Sequence, residues 1–332
     1  MKLWTGIALF TIGLVVSGCS SGSSDAGTNT TSNTPTAGKP TEGGSKKLVV
    51  FAQANSQDPW RQVFDADTKA AAGKLSAEFS FEEQDASDDA SKQIDVINTF
   101  MVKKPAVLIV SPVEKSVGAA IEKAFDGGTP VILLDRGIES EKYTAYIGGD
   151  NTEIGRQAGE FIAQQLKGKG TVLMFQGIAD ATPTANRRDG AMESFKKYPG
   201  ITVIPGDDCK YQRQAARSFM ETFLQKKIPF DAVYAHNDEM AIGAYLAMEA
   251  AKTPKKIIVG IDGCQKEVVD YIKEGKLDAT FKYPCPGPAG IELAAKLIKG
   301  EKPAQKKIIL QTEKVTKENA DAYLTANPNL AK

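Results

Sequence analysis

From Lys47 onward the chain alternates short, continuously apolar runs with longer segments whose apolar residues recur every three to four positions. The runs lie at 48–51, 79–81, 107–110, 131–134, 143–147, 172–175, 201–204, 232–234, 257–261 and 279–281. Between them, 90–102, 117–125, 154–166 and 213–224 read as amphipathic helices, with Ile94, Ile97 and Met101 on one face of the first. A strand that is apolar at every position is buried on both faces, the condition of a parallel sheet covered by helices. So many strands exceed one comfortable open sheet, and two doubly wound α/β lobes are the expected solution. A length of 332 residues suits about two average domains.

The first 45 residues stand outside this pattern. Lys2 precedes an apolar stretch, 3–16, that is too short to cross a bilayer as a mature helix. It ends in Val16-Ser17-Gly18-Cys19, which resembles the lipobox of bacterial lipoproteins. The resemblance implies cleavage before Cys19 and acylation of its thiol, so 1–19 is expected to be a lipoprotein signal. Residues 20–45 hold no aromatic and no branched aliphatic side chain. They cannot bury a core and are expected to form a disordered linker between anchor and folded domain. The protein is therefore expected to be exported and membrane-anchored, facing the periplasm or the cell exterior.

Several functions are excluded by what the chain contains. Lys and Arg total 41, as do Asp and Glu, and no basic stripe is present, so nucleic acid is not an expected partner. His236 is the single histidine and no metal-ligand spacing occurs, so no metal or other cofactor is expected. His236 reads as a packed residue behind the site. No P-loop and no G-x-G-x-x-G after a strand is found. Gly18-Cys19-Ser20-Ser21-Gly22 fits G-x-S-x-G, but it lies in the signal and linker and not on a strand-to-helix turn. Asp207 and Asp208, adjacent at a strand end, point oppositely and make a poor pair of glycosidase carboxylates. Catalysis is not expected. Beyond Cys19 the cysteines are Cys209, Cys264 and Cys285. Export permits disulfides, and Cys264 and Cys285 each follow a strand, so a bridge between them, worth about 3 kcal/mol, is one possibility and free thiols the other.

In open parallel sheets ligands bind beyond the carboxyl ends of the strands. Here those ends are repeatedly polar. Residues 131–134 run into Asp135-Arg136, 172–175 into Gln176-Gly177, 232–234 towards His236-Asn237-Asp238, and 257–261 into Asp262-Gly263. The first run leads to Gln53 and then Asp58-Pro59-Trp60-Arg61. Asp238 is expected to cap its helix and Gly263 to serve a turn. Together the ends suggest one polar crevice. Carboxylates there accept from hydroxyls, Arg and Asn donate to oxygens, and the aromatic rings of Trp60 and Tyr211 cover C–H faces, which is the chemistry of a sugar site.

The segments Leu48-Val49-Val50-Phe51-Ala52-Gln53 through Trp60-Arg61, Leu134-Asp135-Arg136, Tyr234-Ala235-His236-Asn237-Asp238-Glu239-Met240 and Val259-Gly260-Ile261-Asp262-Gly263 resemble the type I periplasmic sugar-binding proteins of ABC transporters, notably the ribose- and galactofuranose-binding members. The resemblance spans about residues 47–311 and implies two lobes joined by three strand crossovers that close over a monosaccharide, a pentose or hexose. It places one lobe at 46–149 plus 284–309 and the other at 150–283 plus 310–332. It implies ligand contacts from Asp58, Trp60, Arg61, Asp135 and Arg136 on the first lobe, and from Arg187, Tyr211, Asn237, Asp262 and Tyr283 on the second. Asn186-Arg187-Arg188-Asp189-Gly190 leaves Arg188 as the alternative to Arg187. Trp60-Arg61 stands where ribose binders carry two phenylalanines, and Tyr283 where they carry Gln, which argues against ribose. The implied partners are ABC permease subunits, with the membrane reached only through the lipid anchor, and the chain is expected to be a monomer. A ligand-presenting partner of a chemoreceptor or sensor kinase is the alternative role.

Overall fold

The computed structural model describes residues 46–328 and 330. The expected lipobox at Cys19 and the linker 20–45 lie outside the described residues. Five strands open the chain: β1 (Lys47–Gln53), β2 (Phe79–Asp85), β3 (Val107–Val110), β4 (Val131–Leu134) and β5 (Ala145–Gly149). Helices α1 (Pro59–Lys74), α2 (Ala90–Val102) and α3 (Gly118–Asp126) follow the first three. The scheme then repeats with α4 (Asn151–Gln165), β6 (Lys169–Gln176), α5 (Thr182–Phe195), β7 (Gly200–Asp208), α6 (Arg213–Gln225), β8 (Ala232–Ala235), α7 (Asp238–Ala250), β9 (Ile257–Asp262), α8 (Lys266–Lys273) and β10 (Ala279–Lys282). The chain ends with α9 (Gly287–Ile298), β11 (Lys307–Leu310), β12 (Lys314–Thr316) and α10 (Ala320–Ala326).

The strands form two six-stranded sheets, ordered β2-β1-β3-β4-β5-β11 and β7-β6-β8-β9-β10-β12. Apart from the last strand of each, the two orders are the same doubly wound pattern. β11 joins β5 in parallel, whereas β12 joins β10 antiparallel. The chain therefore passes between the lobes three times: after β5, between β10 and α9, and between β11 and β12. The central strands are buried along their length, β3, β4 and β8 at every residue.

Local chemistry starts the helices where the site needs them. Asp58 caps α1 through its side chain, which accepts from the Arg61 N–H, and Pro59 occupies the first turn, where a missing N–H costs nothing. Asp150 caps α4 and Asn237 caps α7 in the same way. Asp238, expected to be the cap, is instead the first helical residue; its carboxylate turns inward. α4 and α5 lie close because glycines line their contact: a Cβ on Gly155 would fall 2.2 Å from the Arg187 carbonyl oxygen.

Three strand expectations are corrected. The fifth strand begins at Ala145 and not at 143, since Tyr143 packs into the core ahead of it. β2 runs on to Asp85, its polar second half being tolerated because it is an edge strand. β11 and β12 have no counterpart among the apolar runs, because one face of each is exposed.

Edge strand β2 also carries a misfit. The Glu83 side chain is 7% exposed, Lys69 Nζ lies 3.3 Å from one oxygen, and the other oxygen has no partner. Burial, reinforced by Asp65, raises the carboxyl from 4.5 to about 7. The folded state thus holds this proton more tightly than the unfolded chain does. The stabilisation is complete below pH 4.5 and is lost as pH rises through 7. Glu83→Gln is expected to stabilise the fold by about 1 kcal/mol at pH 8 and to change little at pH 4, as read by thermal melts at the two pH values.

Candidate functional site

The carboxyl ends of both sheets face one cleft of about 330 Å³, near the lower end of the range for small-molecule sites. All ten residues singled out from the sequence line it: Asp58, Trp60, Arg61, Asp135, Arg136, Arg187, Tyr211, Asn237, Asp262 and Tyr283.

On the first lobe, Arg61 lies in the first turn of α1 and is 2% exposed. Its guanidinium donates to Gln53 Oε1 at 3.0 Å, to Ser111 Oγ at 2.8 Å and to Asp135 Oδ2. It also sits 4.9 Å from the Trp60 ring centroid. Burial opposes its charge, but the surrounding Asp135, Asp58, Asp88 and Asp65 outweigh that and raise its pKa. Arg61 is therefore a buried strut that fixes Asp135 as well as a cleft-lining group. Asp135 follows β4 with φ +66°. Its carbonyl accepts from Tyr146 at 2.8 Å and from Tyr283 at 3.2 Å. Arg136 donates to the Val113 carbonyl at 2.6 Å and lies 4.0 Å from Asp88. Trp60 donates through Nε1 to the Tyr283 carbonyl at 3.1 Å, and the two rings meet at 5.2 Å, so α1 is tied to the crossover behind the cleft.

On the second lobe the hub is Arg187 of α5. It donates to Asn151 Oδ1 at 2.8 Å and to the His236 carbonyl, and it lies 3.5 Å from Asp262 Oδ1. The guanidinium packs 5.0 Å from the Tyr283 ring and 6.0 Å from the Tyr211 ring. Of the two arginines, Arg187 lines the cleft and is 4% exposed, while Arg188 faces solvent and pairs with Asp189. Tyr211, at φ +62°, bonds Thr184 Oγ1 at 2.6 Å. Asn237 spends Oδ1 on the Met240 N–H and Nδ2 on the Tyr211 carbonyl, so much of its role is to build the wall. Asp262 ends β9 at φ +128° and is 8% exposed. Burial raises its carboxyl well above the ordinary range, against the pull of Arg187 and with Asp238 and Asp58 adding to the rise. Three of the ten residues, Asp135, Tyr211 and Asp262, thus hold backbone conformations that L-residues rarely adopt, and such strain concentrates at functional sites.

His236 lies behind the cleft, fully buried, with its ring 5.2 Å from that of Tyr234. Its ring nitrogens make no hydrogen bond, and burial beside Arg187 lowers it to about 3, so it is neutral. Among the described residues no cluster of metal-ligating side chains occurs. The proposed Cys264–Cys285 bridge is not formed: both are free thiols. Both line a second cavity of about 400 Å³, which shares Trp60, Asp262 and Tyr283 with the cleft.

Other cleft residues were not anticipated, chiefly Asp88, Lys210, Arg213 and Glu239. Asp88 follows β2, whose polar second half hid that strand end; the rule that ligands gather at strand ends would otherwise have found it. Glu239 stands in the recognised Asn237-Asp238-Glu239 stretch, and its bonds to Arg213 and Gln265 are long-range contacts that spacing does not show.

The comparisons agree with this geometry. Residues 49–302 match the periplasmic binding protein domain family. The ribose import binding protein of Haemophilus influenzae is 33% identical over 221 residues, covering 66% of this chain and 75% of its own length. The galactofuranose-binding protein of Escherichia coli is 29% identical over 255 residues, covering 73% and 78%. In three dimensions, the fructose-binding periplasmic domain of a hybrid two-component system superposes with a TM-score of 0.81 at 36% identity, covering 85% of this chain and 94% of that one. With two lobes of matching topology, a shared cleft and a family match across most of the folded region, the chain belongs to the periplasmic binding protein domain family.

Proposed function

We propose that the protein captures a neutral monosaccharide or similar polyol between its lobes and delivers it to an ABC importer. The carrying observation is the charge balance of the cleft. Asp58, Asp88, Asp135, Glu239 and Asp262 face Arg61, Arg136, Arg187, Lys210 and Arg213. The arginines already have carboxylate neighbours: Arg61 with Asp135, Arg136 with Asp88, Arg187 with Asp262, and Arg213 with Glu239. A hydroxyl-rich neutral ligand can accept from the guanidiniums and donate to the carboxylates without adding charge. An anionic sugar would disturb pairs that are already matched. The relatives are named as ribose-, galactofuranose- and fructose-binding proteins, which supports the same class and a role without catalysis. Export to the periplasm follows the family, and anchoring through Cys19 extends that reading. A second role, presenting the sugar to a sensor, is favoured by the fructose-binding neighbour in a two-component system; loss of uptake in a deletion strain, with signalling intact, selects the importer.

A thermal-shift screen of D-fructose, D-ribose, D-galactose, L-arabinose, D-allose, myo-inositol and xylitol tests the ligand class. A binder at a hundredfold excess over Kd stabilises by about 2.7 kcal/mol. No shift with any of the seven rejects the proposal.

The lobes also touch across the cleft mouth. The Gly137 N–H donates to Thr182 Oγ1 at 3.1 Å, from the first lobe to the start of α5. This bond exists only while the lobes are together. Thr182→Val is expected to cost the closed form about 1 kcal/mol, raising Kd about fivefold through faster release. Stopped-flow dissociation of the sugar chosen by the screen measures it, and an unchanged off-rate excludes the bond as a latch.

A further inference from the structure

Asp238 has no place in the cleft lining, yet it grips the turn that presents Asp262. The turn is unusual: Asp262 has φ +128° and Gly263 φ +65°, consecutive residues in a region that a non-glycine such as Asp262 rarely enters. It is held at three points. Asp238 Oδ2 accepts from the Gly263 N–H at 2.7 Å, Tyr323 donates to the Gly263 carbonyl at 2.6 Å, and the Tyr283 N–H donates to the Asp262 carbonyl at 2.9 Å. The other oxygen of Asp238 is fixed by the Thr280 hydroxyl at 2.7 Å, so the carboxylate cannot swing. The sequence makes room for this contact at one residue: a Cβ on Gly260 would fall 2.1 Å from Asp238 Oδ1. Asp238 is 1% exposed, the first residue of α7, and it bridges α7, β9 and β10.

We propose that Asp238 is a positioning residue for sugar binding: anchored by Thr280, it locks the Asp262–Gly263 turn in the strained conformation that presents the Asp262 carboxylate to the cleft. Strain of this kind persists only where surrounding bonds over-determine it. Tyr323 and Tyr283 hold carbonyls of the turn, so Asp238 supplies its side-chain grip on a backbone N–H. Without it the turn relaxes towards ordinary φ and Asp262 moves out of reach. Burial lifts the Asp238 carboxyl to about 7, so a neutral form is populated in ordinary buffers and Asn is its natural isostere. The charged and titratable groups around it are Arg187 of α5, Glu239 of α7, Asp262 of β9, Cys264 after β9 and Tyr323 of α10. The proposal rests on the reading that Asp262 contacts the sugar.

The test is a binding cycle by calorimetry, using whichever of the seven compounds of the thermal-shift screen binds the wild type most tightly. Asp238→Ala is expected to raise Kd about 30-fold, whereas Asp238→Asn, which keeps an acceptor for Gly263 and a partner for Thr280, stays within about threefold. On an Asp262→Ala background, Asp238→Ala is expected to add less than twofold, since the group it positions is gone. A full 30-fold loss on that background shows that Asp238 does not act through Asp262 and overturns the proposal. Equal loss in the Asn variant overturns it as well. If Asp262→Ala alone binds like wild type, or none of the seven compounds of the thermal-shift screen binds, the sugar-site reading itself has failed. Should Asp238→Ala not fold, Thr280→Val frees one end of the carboxylate and is expected to weaken binding about fivefold on the wild-type background only; an unchanged Kd there overturns the proposal.

Discussion

Arg61→Met is expected to lower the free energy of unfolding by about 3–5 kcal/mol. Arg61 bonds Gln53, Ser111 and Asp135 inside the first lobe. Methionine keeps much of its packing against Trp60 and Phe64 but removes every donor. Asp135, 4% exposed, is then left with Arg136 at 3.8 Å as its nearest cation. Breaking a buried pair from one side leaves a charge without compensation, whereas replacing both partners costs far less. Arg61→Met combined with Asp135→Asn should therefore recover most of the loss. Urea unfolding followed by tryptophan fluorescence measures both, since Trp60 is the single tryptophan among the described residues. A single variant within 1 kcal/mol of wild type, by the same measurement, removes Arg61 from the role of strut.

Asp262→Ala is expected to weaken sugar binding at least about 100-fold. Asp262 offers two oxygens to sugar hydroxyls, and removing a buried hydrogen-bond partner costs about 1–3 kcal/mol for each bond lost. The substitution also leaves Arg187 without its carboxylate neighbour, although its bonds to Asn151 and the His236 carbonyl remain. The fold should survive, as judged by circular dichroism. Small-angle scattering with and without sugar adds a second measure: wild type contracts on binding, and the variant at the same sugar concentration does not. Affinity within threefold of wild type would take Asp262 out of the site.

The sheets were legible because parallel strands declare themselves as unbroken apolar runs, and the cleft because polar groups follow those runs at a constant place. Residues that ride on such ends, Asp135 after β4 and Asp262 at the end of β9, need only the rule for open sheets. Less was legible where contact and not pattern decides. Arg61 looks like any cationic residue in a first helical turn; only coordinates show that Gln53, Ser111 and Asp135 hold it. Asn237 and Asp238 are equally good caps by composition, and the room left by Gly260 determines which one turns inward. Arg187 and Arg188 differ by 100° of helix rotation, which a segment with so few apolar markers cannot fix. β11 and β12 went unread because an edge strand with one face exposed carries half the apolar signal.

The threefold passage of the chain between the lobes has a consequence for how the protein is made. Neither lobe is continuous: the first sheet waits for β11 at Lys307–Leu310, and α1 waits for α9 at Gly287–Ile298 to cover the face on which it packs. A nascent chain that has reached residue 280 can pair β1 to β5 but leaves that face of α1 wet. Completion of both the first sheet and the cover of α1 is therefore postponed until nearly the last residues are synthesised.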